Sequence, residues 1–265
     1  MKLAASNIGW TRAEDGYMLR RLRELGYTGL EIAATRVFPE NPYEKLREAR
    51  EFSRRLREEH GLQVCSLQSI WYGKGQRIAQ SEENRLFLLD YTRRAAAFAR
   101  EMGCGNLVFG CPRNRSLESP EEAPILEEFL WRCAEAAAEY EVVVAVEANP
   151  PIYHTNYLNT TSLALALVKK LEHPFLRLNL DLGTVIENGE SLDWLETGLP
   201  LVHHVHVSEP MLLPLRPRAQ REELLEKLRR LGYEGYVSAE MGNAAGAAAV
   251  EEALRGLAAS AGKRA

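Results

Sequence analysis

Four side chains with metal-binding chemistry stand at the ends of short apolar runs. Glu147 directly follows Val142 to Val146, and Asp181 follows Leu176 to Leu180. His206 lies within His203 to Val207, and Glu240 closes Tyr236 to Ala239. A carboxylate at the end of a buried strand is costly unless it is paired or coordinated. One such residue alone reads as a capping or hydrogen-bonded group. Four on consecutive strands point instead to one shared divalent cation. Three carboxylates and one imidazole form a mostly hard donor set, which suits Mn, Mg or Co, with Zn less favoured.

The three histidines of one run need separating. Residues 204 and 206 share a strand face by period-two alternation, and 203 takes the other. His206 is the ligand candidate because it lies nearest the strand's C-terminal end. His204 sits one layer deeper, as a donor behind the ligands or as a satisfied core histidine, the second reading being slightly favoured. His203 is expected to face outward against a helix.

Eight apolar runs rich in Val, Ile and Leu alternate with longer amphipathic segments, and these must position the four residues. The strands are predicted at Leu3 to Ile8, Leu30 to Ile32, Leu62 to Leu67, Leu107 to Phe109, Val142 to Val146, Leu176 to Leu180, His203 to Val207 and Tyr236 to Ala239. Helices are predicted over Met18 to Leu25, Pro42 to Glu59, Asn84 to Met102, Glu121 to Tyr140, Thr161 to Leu171 and Arg221 to Leu231, and from Ala247 to Leu257. A short one is placed near Leu192 to Leu195, and residues 258–265 are expected to fray. Alternation of this kind predicts an α/β chain closed into a (β/α)8 TIM barrel, one domain over 1–265. An open doubly wound sheet would carry a glycine-rich phosphate turn after its first strand, and Asn7-Ile8-Gly9-Trp10 is not one. In a barrel the strand ends named above gather at one mouth, where active sites form.

Composition narrows the function classes. The chain has 265 residues, 46% hydrophobic and 26% charged, which suits a globular core. Its net charge of −4 argues against a polyanion-binding surface, so no nucleic-acid partner is expected. No stretch approaches the roughly 20 apolar residues needed to span a bilayer, and no membrane partner is expected. The N-terminal residues lack a secretory pattern. Cys65, Cys104, Cys111 and Cys133 have no CxxC spacing and read as reduced thiols. The expected location is cytoplasmic.

At these residues the sequence resembles the sugar phosphate isomerase/epimerase family, a group of xylose isomerase-like barrels. The resemblance runs along nearly the whole chain, from Lys2 to Ile8, through Asn106 to Arg115, Glu147-Ala148-Asn149-Pro150, Asp181-Leu182-Gly183 and His206 to Pro210, to Val237 to Met241. It implies that Glu147, Asp181, His206 and Glu240 bind one divalent metal. It also implies that Glu147 and Glu240 act as the acid/base pair across the substrate carbon. A metal chelated by a carbonyl and a neighbouring hydroxyl stabilises the enediolate formed when the adjacent C–H loses its proton. A carboxylate near each face can then remove a proton on one side and return one on the other. The activity implied is isomerisation or epimerisation of a sugar, sugar phosphate or related polyol, by an enzyme that assembles as a homodimer or homotetramer. The ketose 3-epimerase branch has polar residues where this chain has Tyr153, Thr184 and Leu212, so a different substrate shell is expected.

Candidates for that shell follow from the strand ends. Arg113 and Arg115, beyond the fourth strand, suit bidentate recognition of phosphate or carboxylate, or else pair with Glu118, Glu121 or Glu122. Asn149, His154 and Asn156 form a hydroxyl-binding wall. Gln68 and Trp71 end the third strand, and Trp71 is placed to stack on a sugar, as is Trp10, unless either simply packs. Glu31 orients an arginine or a hydroxyl. Glu209, beside His206, and Arg216 complete the set. Three other readings compete: an inosose-type dehydratase on the same centre, a DNA-repair endonuclease, and a non-catalytic sugar-binding barrel. Six histidines, three of them in one strand, are few for a three-zinc nuclease site.

Overall fold

The structure, a computed structural model, describes residues 1–262. Eight strands run parallel to their neighbours and close on themselves: β1 (Lys2–Ser6), β2 (Gly29–Ala33), β3 (Gln63–Gln68), β4 (Asn106–Phe109), β5 (Val143–Glu147), β6 (Leu176–Asp181), β7 (Val202–Val207) and β8 (Tyr236–Ala239). β1 pairs with β8 from Lys2 opposite Tyr236 to Ala5 opposite Ala239, which leaves no sheet edge. Helices follow the strands in turn: α1 (Asp15–Glu24), α2 (Leu46–His60), α3 (Glu82–Glu101), α4 (Ala123–Ala138), α5 (Thr161–Leu171), α6 (Leu182–Asn188), α7 (Ala219–Arg230) and α8 (Gly246–Gly262). The predicted (β/α)8 barrel is therefore the fold.

Local signals explain most element bounds. Ser81 caps α3 by accepting the amide of Asn84 at 3.1 Å, and Thr160 caps α5 by accepting that of Leu163 at 3.2 Å. Gly61 ends α2 at φ 65°, where a side chain would be strained. Two expectations fail. The segment after β6 was placed near Leu192 to Leu195, yet α6 begins at Leu182, immediately where the strand stops. The Asp181 carboxylate accepts the amide of Thr184 at 2.8 Å and so starts a helix that Gly183 and Thr184 would not favour alone. A separate helical turn spans Leu195–Gly198. Residues 258–262, expected to fray, continue α8, where the Ser260 hydroxyl donates to Glu222 on α7 at 2.7 Å. The rest of that expected tail lies outside the described residues.

The strands divide their faces by polarity. Leu30, Ile32, Leu67, Leu107, Val144, Val146, Leu178, Leu180, Val205, Val207 and Val237 belong to the continuous apolar core beneath the helices. The alternate residues meet one another inside the barrel. Asn106 donates to Ser66 at 2.9 Å, Gln68 to Ser6 at 2.9 Å and Ser238 to Glu31 at 3.4 Å. The interior is thus a hydrogen-bonded polar column. Two register irregularities fall inside it, between Leu30 and Glu31 and between Leu178 and Asn179. Such irregularities re-aim side chains, and the two residues just past them, Glu31 and Asn179, both meet His206. No described helix is long and apolar enough to cross a membrane. All four cysteines are free thiols.

Candidate metal centre

The barrel brings Glu147, Asp181, His206 and Glu240 together. Each offers one donor atom, and these atoms lie within 4.8 Å of one another at the C-terminal mouth. His206 Nδ1 lies 2.9 Å from Glu147 Oε1 and 3.2 Å from Glu240 Oε2. Its Nε2 lies 2.9 Å from Glu31 Oε2, a carboxylate that is 0% exposed. With Nε2 carrying the proton donated to Glu31, Nδ1 presents a lone pair to two carboxylate oxygens. Three acceptors converging in a buried space need a proton or a cation between them. The donor set and its geometry therefore fit a hard divalent ion.

Each acid has its own support. Glu147 ends β5 and accepts from Asn179 at 2.6 Å and Asn149 at 3.0 Å. Glu240 follows β8 and accepts from Gln68 at 2.9 Å. Asp181 accepts from Thr184 and, on its other oxygen, from Ser208. The Thr184 hydroxyl lies 2.8 Å from Asp181 and 2.9 Å from the carbonyl of Ala148, and its one proton serves either at a time. Two glycines make room for this: a Cβ at Gly110 would stand 2.8 Å from Glu147 Oε2, and one at Gly183 would stand 2.6 Å from the Ser208 hydroxyl.

The electrostatics are unequal across the cluster. Burial pushes Glu240 up to about 7 against the opposing pull of His206, with Glu147 and Glu31 adding to the rise. Asp181 is likewise raised by burial and by Glu147. Burial would raise Glu147 too, but contact with His206, Asn149 and Arg115 outweighs it and lowers the group. Glu31 is held below the usual carboxylate range because His206 and His204 overcome its burial. His206 is raised well above an ordinary histidine, its burial overridden by Glu240, Glu31 and Glu147. His204, whose Nε2 lies 3.0 Å from Glu31, is lowered by burial.

A pocket of about 180 Å³ covers the acids, walled by Gly110, Cys111, Pro112, Tyr153, Ser208 and Leu212. The β7 loop forms its roof. There the Tyr153 hydroxyl accepts the Met211 amide at 2.9 Å, and Leu212 accepts the Gly242 amide at 2.8 Å.

The expected substrate shell is mostly rearranged. Only Gln68 and Asn149 line this pocket, each already bonded to an acid. Trp71 is 2% exposed, donates to Thr92 at 3.0 Å and packs edge-on against Phe109 and Phe129, so it is core. Trp10 is also buried, donating to Asp15 at 2.8 Å, though it borders a neighbouring cleft. Arg115 is fully buried and donates to the backbone carbonyls of Glu147 at 2.7 Å and Leu158 at 3.4 Å, which spends its guanidinium on the chain itself. Arg113 is exposed on the turn Pro112–Asn114, outside the pocket wall. His154 is exposed at φ 59° and its carbonyl accepts from the Ser116 hydroxyl at 3.3 Å, while Asn156 ties to Leu117 at 2.8 Å and 2.9 Å; both stitch two loops together. Glu209 is buried against Arg218 at 2.6 Å, and Arg216 reaches it only at 3.5 Å with its side chain 65% exposed. These pairs anchor the β7 loop.

Sequence reasoning misassigned one support and missed another. Glu31, expected to orient an arginine or a hydroxyl, meets His204 and His206 instead. Asn179 meets Glu147 and His206, and its signal was an amide between Leu178 and Leu180.

The xylose isomerase-like TIM barrel family matches residues 19–260, and the chain belongs to it. No curated protein matches the sequence. Among solved structures, the apo form of 3-keto-D-glucoside 4-epimerase from E. coli is similar at 21% identity and TM-score 0.78, over 97% of this chain and 98% of that one. D-psicose 3-epimerase in the presence of D-fructose is similar at 17% identity and TM-score 0.78, over 98% and 97%. The probable 3-DHS dehydratase from Bacillus anthracis is similar at 16% identity and TM-score 0.70, over the full length of both chains. At these identities the likeness is one of fold.

Proposed function

We propose that this chain is a divalent-metal-dependent isomerase or epimerase of a sugar, sugar phosphate or related polyol, working by proton transfer beside a carbonyl. The observation that carries the reading is the convergence of Glu147, Asp181, His206 and Glu240 in one buried cluster at the barrel mouth. The presence of sugar epimerases among chains of the same fold supports it. A divalent ion held by these four residues would supply Lewis-acid stabilisation of negative charge developing on the substrate's oxygens.

The chain's own residues do the rest. Glu147 and Glu240 approach His206 from different strands and stand as the base and acid that take a proton from the reacting carbon and return one. Asn149 and Asn179 fix the direction of Glu147, while Gln68 fixes Glu240. Asp181, tied by Thr184 and Ser208, serves as a ligand. Tyr153 and Leu212 wall the space above the acids.

The test is to incubate the protein with ketoses, ketose phosphates and inososes in deuterated water with Mn, Co or Mg, and to follow products by NMR. Deuterium entering the carbon beside the carbonyl, without loss of water and only until a chelator is added, is the expected result. Loss of water would assign a dehydratase instead. Undiminished turnover after exhaustive chelation would reject the metal role.

A further inference from the structure

A second, larger cavity of about 920 Å³ opens on the β1 to β3 side of the mouth. Ser69, at the end of β3, lines both this cleft and the acidic pocket, so the two are neighbouring parts of one depression. Arg12, Arg36 and Lys74 line the cleft, against the single carboxylate of Glu40. Arg36 is already spent, since it donates to Asp15 at 2.6 Å and to the carbonyl of Trp10 at 3.1 Å. Arg12 and Lys74 form no ion pair among the described residues. The cleft thus keeps an excess of one positive charge, two cations against one carboxylate.

Both cations sit on fixed backbone. Arg12 begins a turn held by the reciprocal bonds of Thr11 and Glu14. The Lys74 amide donates to Trp71 at 2.9 Å, and its carbonyl accepts from Asn114 at 3.0 Å. The Lys74 ammonium lies 4.5 Å from the centre of the Tyr91 ring, a contact that steadies it at the wall without cancelling its charge. The inner pocket carries three carboxylates against the two charges of a divalent ion and so keeps no positive excess, while the outer cleft attracts an anion. A two-ended molecule is oriented by that contrast.

We propose that the cleft holds an anionic group, a phosphate or a carboxylate, between Arg12 and Lys74, at the end of the substrate remote from the reacting carbon. The assignment of that remote end rests on reading the acidic pocket as the reacting centre; the anion site itself does not.

The experiment is calorimetric titration of the Mn-loaded protein with glucitol 6-phosphate, gluconate and glucitol, none of which has a carbonyl to react. Wild type is expected to bind one of the charged probes about tenfold tighter than glucitol. The double variant Arg12→Gln/Lys74→Gln should lose that preference while binding glucitol as before and keeping its circular dichroism. Preference for glucitol 6-phosphate assigns phosphate, and preference for gluconate assigns carboxylate. Equal affinity of wild type for all three probes overturns the proposal, as does a preference that survives in the double variant. A preference that depends on Arg12 and Lys74, in a protein that turns over no ketose, would leave the anion site standing and remove the isomerase reading.

Discussion

The two halves of the barrel mouth are built on opposite principles. On the β5 to β8 side, donor atoms crowd a pocket of about 180 Å³, and Glu147, Asp181 and Glu240 each have a hydrogen-bonding partner behind them. On the β1 to β3 side, a cleft of about 920 Å³ is bordered by Arg12 and Lys74, which have no ion partner among the described residues. Proton transfer needs groups held to a fraction of an ångström, and only a shell of fixed neighbours achieves that. Recognition of a substrate's outer end tolerates looser groups that form their contacts on binding. Under the proposed function, that difference separates where chemistry would be done from where the substrate's outer end would be read.

The comparison predicts a ranking of effects. Glu147→Gln and Glu240→Gln should each lower turnover by about 10³-fold, within the range for a lost acid or base, with the fold retained by circular dichroism. Near-normal turnover in either variant would remove that residue from the acid/base pair. Next comes Glu31→Gln, which reaches no substrate but loses the charged acceptor that sets the His206 ring. Metal affinity measured by calorimetry should fall about 10- to 100-fold, while the preference for a charged probe over glucitol, read in the outer cleft, is unchanged. An unaltered metal affinity would make Glu31 a core residue only.

A smaller effect concerns pH. In the metal-free protein His206 is raised well above an ordinary histidine and holds a proton near neutrality, and Glu240, raised to about 7, holds one in part. An ion must displace those protons, so its apparent affinity should weaken as pH falls, by about tenfold per pH unit for each proton released. Titrations at several pH values, in buffers of different ionisation heat, count them; a flat profile would contradict this electrostatic picture. Smallest of all, Trp71→Phe should cost about 1 kcal/mol of stability through the lost bond to Thr92, and leave KM unchanged. A raised KM would return Trp71 to the substrate wall.

How legible all this was depends on which physical signal each residue left. Strand alternation and strand-end carboxylates were readable because both are one-dimensional patterns, and the barrel then brings those ends together. Arg115 looked like an anion clamp because its type and position suit one. Its partners are the carbonyls of Glu147 and Leu158, and no spacing rule announces a contact over that separation. Trp71 misled in the same way: an aromatic past a strand end either caps a site or turns back into the core, and Phe109 and Phe129 decide it. Glu31 and Asn179 sit just past register irregularities, which alter pairing without altering the sequence pattern. The α6 start was hidden because Asp181 was read only as a ligand, while its second job is to cap the helix.

Gly110 gives position 110 a use for redesign. Because a methyl there would press on Glu147 Oε2 from 2.8 Å, the residue is a lever on the acid that touches no other working group closer than Asn149. Alanine at 110 would displace the Glu147 carboxylate from its contacts with Asn149 and His206, so a single substitution outside the cluster shifts both where that acid stands and the contacts that set its acidity.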